Sequence, residues 1–253
     1  MIIDSHAHYT DEQFTEDLEQ VFARCQTAGI EKICNVSYNL SSIDETIRLM
    51  EKYDFIYGML GIHPSDSAPL TEELLASIAR KLSLPKVVAV GEIGLDYHWD
   101  TPDRDTQKKW FRAQMEMART ANLPVDIHSR DACADTLEIL REFPDVTGII
   151  HCYSYSKESA RDFLNLGYAF GIGGVVTYKN AAKLKEAVEY IPMDCILLET
   201  DCPYLAPVPN RGKRNESSNI PYIIEEIARI KGMDVATVEQ TCYENTKRIL
   251  HIP

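Results

Sequence analysis

Short apolar runs rich in β-branched residues alternate with amphipathic stretches along the whole chain. The runs have strand length, and the stretches between them repeat apolar residues at helical spacing. Eight strands are predicted, at 2–8, 31–37, 55–62, 86–93, 123–128, 146–152, 168–172 and 195–200. Helices are predicted at 10–29, from 71 onward, and at 104–121, 131–142, 157–166, 180–190, 217–231 and 235–250. This alternation predicts parallel strands joined by crossover helices.

Two architectures fit such an alternation, a closed (β/α)8 barrel of the TIM type and an open doubly wound sheet. An open sheet usually binds its ligand at one switch point and uses two or three loops. Here polar residues that suit a metal follow most of the runs, and a closed barrel collects the ends of all its strands around one centre. The length of 253 residues is also usual for such a barrel. We therefore predict a single-domain α/β barrel over residues 1–253.

Histidines and acidic residues stand at the ends of several predicted strands. His6 and His8 are two positions apart, so in a strand both side chains face the same way and can chelate one cation. A buried carboxylate is costly without a partner, whereas a divalent ion removes that cost. The predicted metal ligands are His6, His8, Glu92, His128, His151 and Asp201.

Four imidazoles and two carboxylates are more ligands than one ion needs. A carboxylate can bridge two ions, and Glu92 comes midway in the strand order, so it is the expected bridge. One division gives the first ion His6, His8, Glu92 and Asp201, and the second ion Glu92, His128 and His151. His63 follows another predicted strand. Three roles are open for it: metal ligand, hydrogen-bond donor to the substrate, or structural residue. We expect two divalent ions, Mg²⁺ or Mn²⁺ in function, although an imidazole-rich site also suits Zn²⁺ or Ni²⁺.

Charge and cysteine content narrow the class of protein. A net charge of −13 argues against broad, nonspecific binding of nucleic acid, which needs a basic face. The seven cysteines are odd in number and form no C-x-x-C pair, which argues against a disulfide framework. No apolar run approaches the length of a membrane span, and the N-terminus lacks the basic region of a signal peptide. These features predict a cytoplasmic protein without a membrane partner.

Six segments resemble the TatD family of metal-dependent hydrolases. They are D-S-H-A-H at 4–8, G-I-H-P at 61–64, G-E-I-G-L-D-Y at 91–97, L-P-V-D-I-H-S-R-D-A at 123–132, H-C-Y-S at 151–154 and E-T-D-C-P-Y-L-A-P at 199–207. The resemblance implies a TIM-type barrel, one or two divalent ions and deoxyribonuclease activity. It also implies metal roles for the six ligands named above. Two loop positions depart from the family pattern: Tyr155 replaces a common Gly, and N-E-S at 215–217 replaces N-E-P.

The resemblance and the site residues together predict hydrolysis of DNA phosphodiester bonds from the strand ends by a metal-activated water. Asp201 would orient the water and take its proton, with Glu92 and His63 as further catalytic residues. Loops after the last strands of such barrels often bind phosphate, and the loop after the eighth run carries Arg211 and Lys213. The remaining predicted substrate contacts are Arg130 for phosphate and Tyr97, Trp99 or Tyr153 for stacking on a base.

Other functions fit the same scaffold. The nearest alternative is hydrolysis of another ester or amide, such as an aminoacyl ester on tRNA, a lactone or a cyclic amide. A catalytically silent metal-binding protein belongs to a different class and would bind the metal without turnover. The expected substrate is a single strand or an end of DNA, and a monomer is expected.

Overall fold

The computed structural model describes residues 1–253 and contains eight parallel strands in one sheet, in the chain order β1 to β8. The strands are β1 Ile2–Ala7, β2 Ile30–Val36, β3 Ile56–Met59, β4 Val87–Asp96, β5 Val125–Arg130, β6 Gly148–Ile150, β7 Ala169–Ile172 and β8 Ile196–Leu198. The helices are α1 Leu18–Thr27, α2 Leu40–Lys52, α3 Glu72–Lys81, α4 Arg104–Ala121, α5 Cys133–Glu142, α6 Lys157–Leu164, α7 Ala182–Tyr190, α8 Ile220–Lys231 and α9 Val235–Ile249. The predicted (β/α)8 class is confirmed.

The residue contacts group into two compact units. The first unit comprises residues 1–35, 151–162 and 169–253, and the second comprises 36–150 and 163–168. The assignment of residues 1–253 to a single domain stays a prediction.

In the first unit, the start of the sheet is joined to the loop that follows its last strand. Ala7 forms a parallel bridge with Cys202, and the His8 N–H donates to the Cys202 carbonyl at 2.8 Å. The Asp201 N–H donates to the His6 carbonyl at 3.0 Å. These backbone bonds hold His6, His8 and Asp201 in a fixed register.

In the second unit, β3, β4, β5 and β6 pair in sequence, and β4 is the longest and is buried throughout. Gly94 pairs with His128 of β5 and has a φ of +142°. A Cβ at this position would lie 1.9 Å from the His128 carbonyl oxygen. Only glycine therefore allows β5 to lie this close to β4 beside His128.

The structure corrects two details of the sequence analysis. Helix α2 was not predicted, although Asn39 caps it by accepting from the Ser42 N–H, and its buried Ile43, Thr46 and Met50 keep helical spacing. Glu92 was placed at a strand end, but β4 continues beyond it to Asp96. It lies inside β4 instead, where the pairing with β5 shifts register between Val90 and Ile93. This register shift is a bulge, which re-aims a side chain without ending the strand.

None of the helices is both long enough and apolar enough to cross a membrane.

Candidate metal centre

The first unit contains a buried cluster of donor atoms that comes from three segments far apart in the sequence. His6 and His8 extend from alternate positions of β1, and their Nε2 atoms lie 3.0 Å apart. Asp201 Oδ1 lies 3.4 Å from His8 Nε2 and 3.8 Å from His6 Nε2. The ring of His151 stacks on that of His6 with centroids 3.9 Å apart. We call these four residues the first cluster.

The spacing of the first cluster fits a divalent ion. Ligands about 2.1 Å from a metal lie about 3.0 Å apart in an octahedral shell and about 3.4 Å apart in a tetrahedral one. The His6–His8 and His8–Asp201 distances of 3.0 and 3.4 Å match these edges. Imidazole nitrogen with one carboxylate oxygen is a donor set used for Zn²⁺ and Mn²⁺. The residues present can therefore hold an ion.

Asp201 keeps its negative charge in this environment. Burial works to raise the pKa of its carboxyl, but the contact with His8 and the charges of His6 and His151 outweigh burial and hold the pKa below its usual value. The residue also has a φ of +55°, in the left-handed region that is uncommon for a non-glycine residue. An ionised carboxylate is the form that binds a cation or accepts a proton.

The buried carboxylate of Asp4 forms hydrogen bonds to segments that carry residues of the first cluster. Asp4 accepts hydrogen bonds from Thr200 Oγ1 and Ser217 Oγ, both at 2.6 Å, and from the backbone N–H of Thr200 at 3.0 Å and of His6 at 3.2 Å. Burial raises the pKa of Asp4 to about 6 in spite of these bonds. Asp4 thus ties β1 to the segments that carry Asp201 and the loop after it.

The second unit contains a separate group, formed by His63, Glu92 and His128, whose ligand atoms all lie within 4.8 Å of one another. We call it the second cluster. His128 Nδ1 lies 2.7 Å from Glu92 Oε1, and His63 Nε2 lies 3.9 Å from the same oxygen. An imidazole with a carboxylate again suits a divalent ion.

A hydrogen bond to His63 indicates which of its two ring nitrogens carries hydrogen. Its Nδ1 accepts from the backbone N–H of Ser65 at 3.1 Å, so Nδ1 carries no hydrogen. The neutral ring must then carry its hydrogen on Nε2, the atom that faces Glu92. A protonated Nε2 has no lone pair for a metal. In this tautomer His63 can donate a hydrogen bond through Nε2.

Two acidic residues beside the clusters were missed by the sequence analysis. Asp96 Oδ2 lies 3.1 Å from His128 Nε2, and Glu199 accepts from the Cys152 N–H at 2.6 Å and lies 4.0 Å from His151 Nδ1. Burial acts to raise the pKa of Asp96, but His128 and two backbone N–H groups lower it to about 2. Both residues lie in segments that resemble the TatD family, G-L-D-Y and E-T-D. Their closeness in sequence to a predicted ligand is the signal that could have identified them.

The cations predicted to bind substrate lie at the surface. Arg130 ends β5 with an exposed side chain and makes no ion pair. Arg211 is exposed and lies 4.3 Å above the ring of Tyr178. Lys213 is exposed and lies 3.5 Å from Asn210 Oδ1. Their positions leave all three charges accessible to an anion.

The three aromatic residues predicted to stack on a base differ in how far their rings are covered. Tyr153 is only 3% exposed, and its hydroxyl donates to the Ser156 carbonyl at 2.5 Å. The ring of Tyr97 is covered by the Arg104 guanidinium at 4.2 Å, and its hydroxyl donates to Asp135 at 2.6 Å. The buried Tyr153 ring offers no face to a base and one face of Tyr97 is covered, whereas Trp99 is 66% exposed.

The comparisons with known proteins agree with this geometry. The family model described as TatD related DNase matches residues 3–251. The chain belongs to the TatD-related DNase family. It is 45% identical to a protein named "Uncharacterized metal-dependent hydrolase YabD" from Bacillus subtilis, with 100% of each chain covered. The chain is therefore a metal-dependent hydrolase of the TatD family.

Two further relatives of this TatD-family chain bear on substrate and fold. A protein named "3'-5' ssDNA/RNA exonuclease TatD" from Pectobacterium carotovorum is 30% identical over 99% of this chain and 100% of its own length. The crystal structure of YJJV, a TatD homolog from Escherichia coli K12, superposes with a TM-score of 0.94 at 29% identity. That match covers 100% of this chain and 98% of the other. This likeness confirms the barrel class.

Proposed function

We propose that this TatD-family chain is a divalent-metal-dependent nuclease that hydrolyses phosphodiester bonds at the ends of single-stranded DNA. The observation that carries the proposal is the first cluster, in which His8 Nε2 lies 3.0 Å from His6 Nε2 and 3.4 Å from Asp201 Oδ1, distances that suit neighbouring ligands of one divalent ion. The printed name of the Pectobacterium relative supports nucleic acid as the substrate. The proposed ligands are His6, His8, His151 and Asp201 in the first cluster and Glu92 and His128 in the second.

Each cluster is proposed to hold one divalent ion. When bound, such ions would lower the pKa of an attacking water and neutralise charge that develops on the phosphate. Asp201 is ionised and lies 17% exposed, so it can accept the proton that the water loses. His63 presents an Nε2–H that can donate to a phosphate oxygen.

The loop after β8 supports a nucleic-acid substrate. Tyr204 is 51% exposed three residues after Asp201, and its N–H donates to the Asp201 carbonyl at 2.9 Å. Its hydroxyl donates to Asp11 Oδ2 at 2.9 Å, which holds the ring in place. Arg211 and Lys213 follow in the same loop with exposed charges. An anchored aromatic ring followed by cations is the combination that binds a base and its backbone phosphates.

The absence of disulfide bridges among the cysteines bears on the cellular compartment of the protein. All seven are unbridged, as expected of a chain kept in a reducing compartment. We propose a cytoplasmic location on this ground.

The test is digestion of a single-stranded DNA oligonucleotide, labelled at either end, by protein stripped of metal and then reloaded. We expect activity with Mg²⁺ or Mn²⁺ to fall at least 100-fold when a chelator is present, because the ions supply the activated water. Matched RNA, aminoacyl-tRNA and small ester substrates are assayed beside the DNA. Release of the aminoacyl group or an ester product, with intact DNA, would replace this proposal by the alternative of ester hydrolysis.

Tyr204→Ala should raise the KM for the oligonucleotide about 5-fold or more and leave kcat within about 2-fold. Loss of stacking on one base costs about 1–3 kcal/mol, and Tyr204 is not among the proposed metal ligands. Steady-state kinetics on the oligonucleotide measure both constants. Tyr204→Phe is the matched control, because it removes only the bond to Asp11 and keeps the ring. An unchanged KM in Tyr204→Ala would remove this residue from the substrate surface.

A further inference from the structure

The carboxylate of Asp96 is shared between the second cluster and the turn that follows β4. Asp96 is 2% exposed, and its Oδ2 lies 3.1 Å from His128 Nε2. Its Oδ1 accepts from the backbone N–H groups of His98 at 2.9 Å and of Trp99 at 3.3 Å. Each oxygen therefore has a different task.

The contact with Asp96 bears on which nitrogen of His128 can bind a cation. An ionised carboxylate only accepts hydrogen bonds, so a hydrogen bond between Asp96 and His128 requires the hydrogen on Nε2. In the neutral ring the lone pair is then on Nδ1. Nδ1 is the atom that lies 2.7 Å from Glu92 Oε1. Two lone-pair donors this close repel each other unless a proton or a cation binds them both.

We propose that Asp96 is a positioning residue that holds His128 as the Nε2–H tautomer and thereby selects Nδ1 as the metal-binding nitrogen. Metal-binding histidines generally donate their other ring N–H to a carboxylate or carbonyl, and loss of that partner costs about 10–100-fold in metal affinity. The inference rests on the proposed metal role of the second cluster. It does not depend on DNA being the substrate.

The backbone of Asp96 has its own support, so its carboxylate can be changed separately. The side chain of Gln107 accepts from the Asp96 N–H at 2.9 Å and donates to the Asp96 carbonyl at 3.0 Å. In Asp96→Asn, the amide oxygen can keep both bonds to the turn. The amide N–H₂ then faces His128 Nε2 and requires that atom to accept. The substitution thus reverses the direction of the hydrogen bond to His128, while the side chain at position 96 keeps nearly the same shape.

The test uses Zn²⁺ as a diamagnetic probe of the full-length protein. Long-range ¹H–¹⁵N NMR spectra of the Zn²⁺-loaded protein report which nitrogen of His128 carries hydrogen, with the signal assigned by its loss in His128→Gln. We expect the hydrogen on Nε2. Titration calorimetry should show that Asp96→Asn binds one Zn²⁺ about 10–100-fold more weakly than the unmodified protein.

Asp131→Asn is the matched control, because Asp131 is exposed and lies near the same turn, 3.5 Å from His98 Nδ1. It should keep both the tautomer and the affinity. Hydrogen on Nδ1 of His128 in the loaded unmodified protein would overturn the proposal, as would unchanged Zn²⁺ affinity in Asp96→Asn. The spectrum of the unmodified protein decides the question even if the variant does not fold. Absence of nuclease activity with the expected spectrum would count against the proposed function alone.

Discussion

Asp201→Asn should lower kcat for the oligonucleotide at least 1,000-fold while the protein stays folded. The amide cannot take a proton from water and is a weaker ligand than a carboxylate, so one change removes both functions proposed for this residue. Asp201 lies 3.4 Å from His8 Nε2 and 3.8 Å from His6 Nε2, so the substitution removes the carboxylate that faces both imidazoles. Single-turnover cleavage with saturating Mn²⁺ separates lost chemistry from weaker binding of the metal.

The control for Asp201→Asn is Asp145→Asn, which makes the same chemical change in an exposed turn before β6. It should keep full activity. Circular dichroism and the unfolding midpoint establish that both variants are folded. If Asp201→Asn keeps more than a tenth of the unmodified rate, Asp201 is neither the proton acceptor nor an essential ligand.

Gly94→Ala should lower the free energy of unfolding by more than about 4 kcal/mol or prevent folding altogether. The new Cβ would lie 1.9 Å from the backbone carbonyl oxygen of His128, and backbone cannot move away as a flexible side chain can. The φ of +142° adds strain for any residue with a Cβ. Urea unfolding followed by circular dichroism, in the presence of a chelator, measures the change without a contribution from bound metal.

Gly232→Ala separates the two causes of that loss. Gly232 also has a positive φ, +64°, but a Cβ there meets nothing within 4 Å. Its substitution should cost only about 1 kcal/mol, the price of the backbone conformation. Equal losses in Gly94→Ala and Gly232→Ala would show that the close approach of β4 to β5 at His128 has no energetic weight.

The sequence was sufficient to predict strand positions and the face of β1 that His6 and His8 share, because both depend on local pattern. Alternation in β1 put His6 and His8 on one face, and the structure places their Nε2 atoms 3.0 Å apart. The bulge that places Glu92 inside β4 was not predictable, because it depends on how β4 pairs with β5. Helix α2 was missed although Asn39 gave a capping signal.

Contacts between residues far apart in the sequence explain the other differences between the predicted and observed positions of side chains. The loop after β8 reads as a run of cations, yet Arg214 forms a bidentate pair with Asp17 at 2.8 and 2.6 Å. No local pattern connects those two positions, so only Arg211 and Lys213 keep accessible charges. Tyr153 was likewise predicted to stack on a base. Its ring instead packs against Phe170 in the core, with ring centroids 4.8 Å apart.

The wide separation of the first cluster's residues along the chain has a consequence for synthesis. A ribosome makes His6 and His8 with the first strand, but it adds Asp201 only after the eighth. Until then a nascent chain carries two histidines without the carboxylate that lies beside them in the finished fold. A cation that requires His6, His8 and Asp201 would therefore bind only after the last strand has docked, and it would stabilise the completed protein rather than its intermediates.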